Sequence, residues 1–318
     1  MAFSVSDRTL DDLLRHTYNE LVASGAKLSA TRGSTLEIVG ASLELENPLA
    51  RLSLSESRRR LVSGLAELNW YLTGTSDTGT ITHYIPIYAN EIESDGSIRG
   101  AYGPRIFGNG DNNQIRNIIE LLKEKPHTRR AVVQIFDKSD ISKGKRFKDI
   151  PCTTTMQFLL RDGCLSLIVT MRSNDAYLGL PHDIFVFTMI QEIVARSLNC
   201  ELGRYIHNVG SLHLYEERLD DVEAFLKEGW QSTDSSMKPM PSGAQWAYLE
   251  QLSAAEGELR SSGSFDEINL PSHAYWADLV RVLAHWEAAK RGNTTYAGRM
   301  QDAITDGTLR EFVRVKSS

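Results

Sequence analysis

Residues 165–183 read LSLIVTMRSNDAYLGLPHD, and the fold turns on this stretch. Leu165 to Met171 has the pattern of a strand, and Pro181 opens a mostly apolar, hence buried, helix reaching about Leu198. Working outward, Met156 to Leu160 and Ala131 to Phe136 read as further strands. A helix before them carries Ile115, Ile118, Ile119 and Leu122 and stops ahead of Pro126. Nearer the start, Leu10, Leu13, Leu14, Tyr18 and Leu21 share one helical face, with Thr9 placed to cap it. Ser34 to Leu45 alternates as a strand around a break at Gly40. Leu61, Leu65, Leu68 and Leu72 then stripe a second helix that ends at Gly74, with Glu67 and Trp70 standing off the stripe. Thr75 to Asn113 has no sustained period and is expected to form a long surface excursion near a site. Beyond Leu219 the pattern is almost entirely helical. The class is therefore α+β, with a core region at residues 1–222 and a helical C-terminal extension at 223–318 packed on it.

Composition narrows the function. A chain of 318 residues, 41% hydrophobic and 24% charged, can bury one large core. A formal charge of -6 argues against a nucleic-acid or membrane-surface binder, although arginine clusters can still seat phosphate. No apolar run approaches a bilayer span and the first residues lack a leader pattern, so a cytoplasmic protein is expected. Cys152, Cys164 and Cys200 cannot all pair, and a reducing compartment requires none to. Whether one of them is reactive becomes the useful question.

Pro151-Cys152 stands at a strand entrance after the basic loop 143–148. A lone cysteine is more often a small buried hydrophobe than a nucleophile. Its neighbours change that weighting: Arg129-Arg130 precede it and Arg172-Ser173 follow it, each at a strand edge. Guanidinium groups there can hold a phosphate bidentately and favour the thiolate of a nearby cysteine.

Together with Leu178-Gly179-Leu180-Pro181, Gly210 and His213-Leu214-Tyr215, these residues resemble the thymidylate synthase family in order and spacing. Arg32-Gly33, Glu67-Leu68, Tyr102-Gly103 and Arg129-Arg130 extend the match, which runs roughly from Leu28 to Val222. The resemblance implies a three-layer fold with a mixed sheet. It implies a Cys152 thiolate that adds to C6 of a pyrimidine, so that C5 attacks the one-carbon unit of 5,10-methylenetetrahydrofolate. Glu67 matches the carboxylate that moves protons at the base, and Asp175 an aspartate beside base and folate. Arg32, Arg172 and Ser173 match phosphate ligands, and Arg129 with Arg130 a pair supplied across a homodimer interface. His213 and Tyr215 match the grip on the sugar 3′-hydroxyl, and Tyr102 joins the substrate-binding set. No metal is called for, and neither is a membrane or a nucleic acid.

Three departures shift the expected substrate. Synthases carry asparagine at the position of Asp183. A carboxamide suits uracil, whereas a protonated carboxyl, or a carboxylate facing N3-protonated cytosine, suits the reversed pattern of cytosine. Aspartate here resembles the deoxycytidylate and cytidylate hydroxymethylases of the family; the plainer reading is a helix cap. The synthase tryptophan that shields the reaction intermediate has no counterpart in Ile87-Tyr88-Ala89-Asn90-Glu91, which favours capture by water and a hydroxymethyl product. Val313 to Ser318 does not resemble the apolar tail that closes over folate. Thr153 and Ser211 stand where histidine and aspartate are common, so those roles are not carried over. Ser173 and Arg130 are as in deoxynucleotide-using members, which tilts the expectation from cytidylate to deoxycytidylate. The alternatives are a thymidylate synthase acting on deoxyuridylate and a non-catalytic nucleotide- or RNA-binding relative. The intact set of Glu67, Cys152 and Asp175 speaks against the latter.

Overall fold

A computed structural model describes residues 3–30, 33–58, 61–142, 144, 146–262 and 268–313. The chain opens with β1 (Phe3–Asp7), α1 (Leu10–Ser24), β2 (Ala26–Ala30) and β3 (Gly33–Leu45). The Thr9 hydroxyl accepts from the Asp12 amide at 3.2 Å, the cap anticipated for α1. α2 (Leu61–Leu72), α3 (Gly79–Tyr84), α4 (Gly103–Ile106) and α5 (Gln114–Glu124) lead to β4 (Val132–Gln134), β5 (Thr153–Arg161) and β6 (Cys164–Asp175). α6 (Gly179–Ser197) and β7 (Glu201–Tyr215) complete the sheet. α7 (Leu219–Lys227), α8 (Trp246–Ser262), α9 (Ala274–Lys290), α10 (Thr294–Ala303) and α11 (Gly307–Val313) follow.

The strands form one mixed sheet in the order β1-β3-β7-β6-β5-β4, with β2 also on β3; β1 with β3 and β6 with β7 run parallel and the other pairs antiparallel. One face packs on α1 and α6, and α2 packs outside α6, beneath α8 and α9. That is the α+β arrangement with C-terminal helices read from the sequence. Apolar side chains at alternate positions of β6 (Leu165, Leu167, Val169, Met171) meet α6, which is buried from Ile184 to Ala195.

Four expectations need correction. β7, at the centre of the sheet, is missed by periodicity because its buried row includes His207, and its phase changes between Val209 and Leu212. Gly210 lies at that change, where a Cβ would sit 3.0 Å from the Arg172 carbonyl of β6. β1 and β2 are missed because they are short edge strands of mixed composition. Residues 75–113 are not a surface excursion: short helices and the turns between them bury Tyr84, Ile98, Tyr102 and Ile106. Finally, the chain from Glu228 to Gln245 is irregular rather than helical, and it inserts Met237 and Met240 into the core.

Candidate active site

Sheet and helix together bring one set of side chains into a cleft. Cys152 stands half-buried just before β5, and the neighbouring strand ties it down: the Arg172 amide donates to the Cys152 carbonyl at 2.8 Å. The Arg172 guanidinium lies beside the thiol, with Nη2 at 3.6 Å from Sγ, and also donates to the Pro151 and Ile150 carbonyls at 3.0 and 3.2 Å. A cation held at this distance favours a thiolate over a thiol. Tyr102, at the start of α4, reaches the next residue: its hydroxyl accepts from the Thr153 amide at 3.0 Å and from the Thr153 hydroxyl at 3.1 Å.

Glu67 is buried on α2, which rules out the exposed helix glutamate as its description. Its Oε1 accepts from the hydroxyls of Tyr71 at 2.7 Å and Tyr88 at 2.9 Å. Burial pushes both phenols well above their ordinary pKa, with the Glu67 charge adding to the shift, so both remain O–H donors. Sequence reading missed both. Tyr71 was legible, one helical turn from Glu67; Tyr88 was not, because it arrives from the irregular 86–91 turn.

Asp183 is one turn inside α6, whose first turn has Leu178 as its cap residue, so Asp183 is not a helix cap. The residue is half-buried, and the protein packed around its carboxyl desolvates it. That desolvation, reinforced by the Glu67 and Asp175 charges, holds the carboxyl well above the ordinary carboxylate range, against the opposing hydrogen bond from Asn174. Asn174 Nδ2 donates to Asp183 Oδ2 at 2.6 Å.

Asp175 closes β6, and its Oδ1 accepts from the Tyr177 and Leu178 amides at 2.8 and 3.2 Å. Strand register sets Asp175 opposite His213 and Ser173 opposite Ser211, so the ends of β6 and β7 share one edge of the cleft. The rings of His213 and Tyr215 meet edge to face at 5.3 Å. Arg129 and Arg130 do not join this set. They are exposed before β4, where the Ala131 carbonyl accepts from Phe158, six residues beyond Cys152 along β5. At about 3.3 Å per residue that is roughly 20 Å from the thiol of the same chain. Arg32 lies outside the described residues.

Among the described residues no group of three or more His, Cys, Asp or Glu is placed to hold a metal ion, and no helix is long and apolar enough to cross a membrane. The cleft therefore offers a thiol beside a cation, a carboxylate clamped by two phenols, and a second carboxyl in surroundings that favour its protonated form. Compared with known proteins, residues 12–240 match the family profile described as Thymidylate synthase. The chain is also 28% identical over 208 residues to the thymidylate synthase of Baumannia cicadellinicola subsp. Homalodisca coagulata, covering 64% of this chain and 78% of that protein.

Proposed function

Because the chain belongs to the thymidylate synthase family, we propose that it hydroxymethylates C5 of a cytidylate, with deoxycytidylate as the substrate. Members of the family transfer a one-carbon unit to a pyrimidine nucleotide, and methylenetetrahydrofolate supplies that unit at the oxidation level of formaldehyde. The observation that carries the cytidylate reading is Asp183. A protonated carboxyl donates to N3 of cytosine while its other oxygen accepts from the N4 amine, and uracil offers the opposite pattern.

In this reading Cys152 Sγ bonds to C6 and the electron pair moves to C5, which bonds to the transferred carbon. Loss of the C5 proton, through water held by Glu67, and release of tetrahydrofolate leave a methylene group on C5. Water adds to that carbon, and expulsion of Cys152 from C6 restores the aromatic base. The balance is nucleotide, methylenetetrahydrofolate and water giving hydroxymethyl nucleotide and tetrahydrofolate. Arg172, with Arg32 and Ser173, seats the phosphate; His213, Tyr215 and Tyr102 hold the sugar and base. Asp175, fixed by two backbone amides, fits the N–H and amino donor edge of a pterin.

A homodimer with shared sites belongs to the same proposal. Val132, Gln157, Ile168 and Ile206 are paired across four strands on the face turned away from the buried row, and each is exposed or half-buried. A second copy covering that row would bring its Arg129 and Arg130 toward a cleft they do not reach in their own chain. Mixing an Arg129/Arg130 double alanine variant with a Cys152→Ala variant is expected to restore up to about a quarter of wild-type activity, because hybrid dimers rebuild one site each. Failure to complement after proven subunit exchange removes the trans role.

One specific observation favours a second reading, methylation of deoxyuridylate: the relative at 28% identity is a thymidylate synthase. Incubation with cytidylate, deoxycytidylate or deoxyuridylate plus methylenetetrahydrofolate, with products weighed by mass spectrometry, separates the two. A gain of one hydroxymethyl group on deoxycytidylate is expected. Methylation of deoxyuridylate with no cytidylate product would transfer the conclusion to the second reading.

A further inference from the structure

Behind Asp183 runs a line of buried polar side chains that the reaction described above does not use. The Tyr205 hydroxyl lies 2.7 Å from His207 Nδ1, His207 Nε2 lies 3.2 Å from Asn174 Oδ1, and Asn174 Nδ2 lies 2.6 Å from Asp183 Oδ2. Tyr205 and His207 project from β7 and Asn174 from β6, all three buried. Polar groups so far from water are costly unless each finds a partner of the right polarity, so the direction of every bond in the line matters.

That direction can be worked out from one end. Burial pushes the His207 pKa down to about 3, so the imidazole is neutral and has one N–H and one acceptor nitrogen. With the Asn174 amide nitrogen turned to Asp183, its carbonyl faces His207 and requires the proton on Nε2. Nδ1 is then the acceptor, and the Tyr205 hydroxyl donates to it. At the other end, Asp183 Oδ2 is committed as an acceptor, so an acid proton on Asp183 belongs on Oδ1.

We propose that Tyr205, His207 and Asn174 are positioning residues that fix the polarity of the Asp183 carboxyl, placing its proton on Oδ1 and thereby setting the preference for a base whose N3 accepts a hydrogen bond. The inference rests on the cytidylate reading and adds the device that enforces it. Without the line the carboxyl is free to turn, or to carry its proton on Oδ2, and then it presents an acceptor to N3. Gly179 supports the same picture: a Cβ there would lie 3.1 Å from Asn174 Nδ2 and 3.5 Å from Asp183 Oδ2, so glycine leaves the amide room to reach under the start of α6.

The test compares kcat/KM for deoxycytidylate and deoxyuridylate in the full-length protein and four variants. Glutamine places its amide nitrogen where His207 has Nε2, and asparagine places it where His207 has Nδ1. His207→Gln is therefore expected to keep the base ratio within about threefold, while His207→Asn lowers it by roughly tenfold or more. Tyr205→Phe keeps the packing and removes only the donor to Nδ1, so it reports even if the asparagine variant fails to fold; a fall of about threefold or more in the ratio is expected. Gly179→Ala, which alters no polar group of the line, is expected to lower the ratio as well. A purely structural role would lower both activities together, so unchanged ratios in Tyr205→Phe and Gly179→Ala overturn the proposal. The wild-type protein alone tests the substrate: no turnover of deoxycytidylate sinks the cytidylate reading. That result takes the line down with it, whereas turnover of deoxycytidylate with ratios unchanged in the variants removes the line alone.

Discussion

Replacing Cys152 by alanine is expected to lower kcat by about ten-thousandfold or more while leaving nucleotide affinity within a few-fold, because the covalent step is lost and the binding groups remain. The geometry supports this separation. Arg172 is held by the Pro151, Ile150 and Cys152 carbonyls, and none of these contacts needs the sulfur. The other two cysteines serve as controls. Burial raises the Cys200 thiol to about 11, so it stays protonated at neutral pH, and Cys164 begins β6 on the edge away from the cleft. Cys164→Ser and Cys200→Ser are expected to keep wild-type rates. Single-turnover mass measurement should detect a nucleotide bound to the wild-type protein and none on Cys152→Ala. A near-normal rate in the alanine variant would end the covalent mechanism.

The second large effect is expected at Asp183. Asparagine keeps the shape but loses the dissociable proton, and on the proposed reading its amide would meet uracil where the carboxyl would meet cytosine. A mismatched pair in a dehydrated cleft leaves polar groups unsatisfied at roughly 1–3 kcal/mol each, so Asp183→Asn should shift the kcat/KM ratio from deoxycytidylate toward deoxyuridylate by about tenfold to several hundredfold. An unchanged ratio would leave Asp183 without a part in base choice. The same substitution has a signature without substrate. Between the ordinary carboxylate value of 3.8 and its raised value in the folded state, Asp183 holds a proton that the unfolded chain has released. This part of the stability is present at low pH and is lost as pH rises through that window. Asp183→Asn should remove that part of the decline, read as the wild-type-minus-variant difference in denaturation midpoint against pH.

Much of this was legible in the chain itself. Regular apolar spacing gave α1, α2, α5 and α6 with their neighbouring strands, because those elements bury one face and show it as period. β7 was hidden by the same logic inverted. It fills part of the interior with His207 and a tyrosine, so its buried row does not look buried. The principal residues of the cleft sit in short motifs and were found through resemblance. Their supports were not, since Tyr88 meets Glu67 and His207 meets Asn174 only when segments distant in sequence come together. The meaning of Asp183 also needed the fold, because from sequence its place near Pro181 allowed a cap that the start of α6 at Gly179 excludes.

Helix α6 is so thoroughly enclosed from Ile184 to Ala195 that its backbone has little freedom to respond to a change at the residue just before that stretch. A carboxyl and a carboxamide of equal shape can therefore be exchanged at Asp183 with little movement of the scaffold. Their codons differ by one nucleotide. On the proposed reading, base preference on this frame lies a single mutational step from its alternative, and a lineage can cross that step in either direction while its core stays as it was.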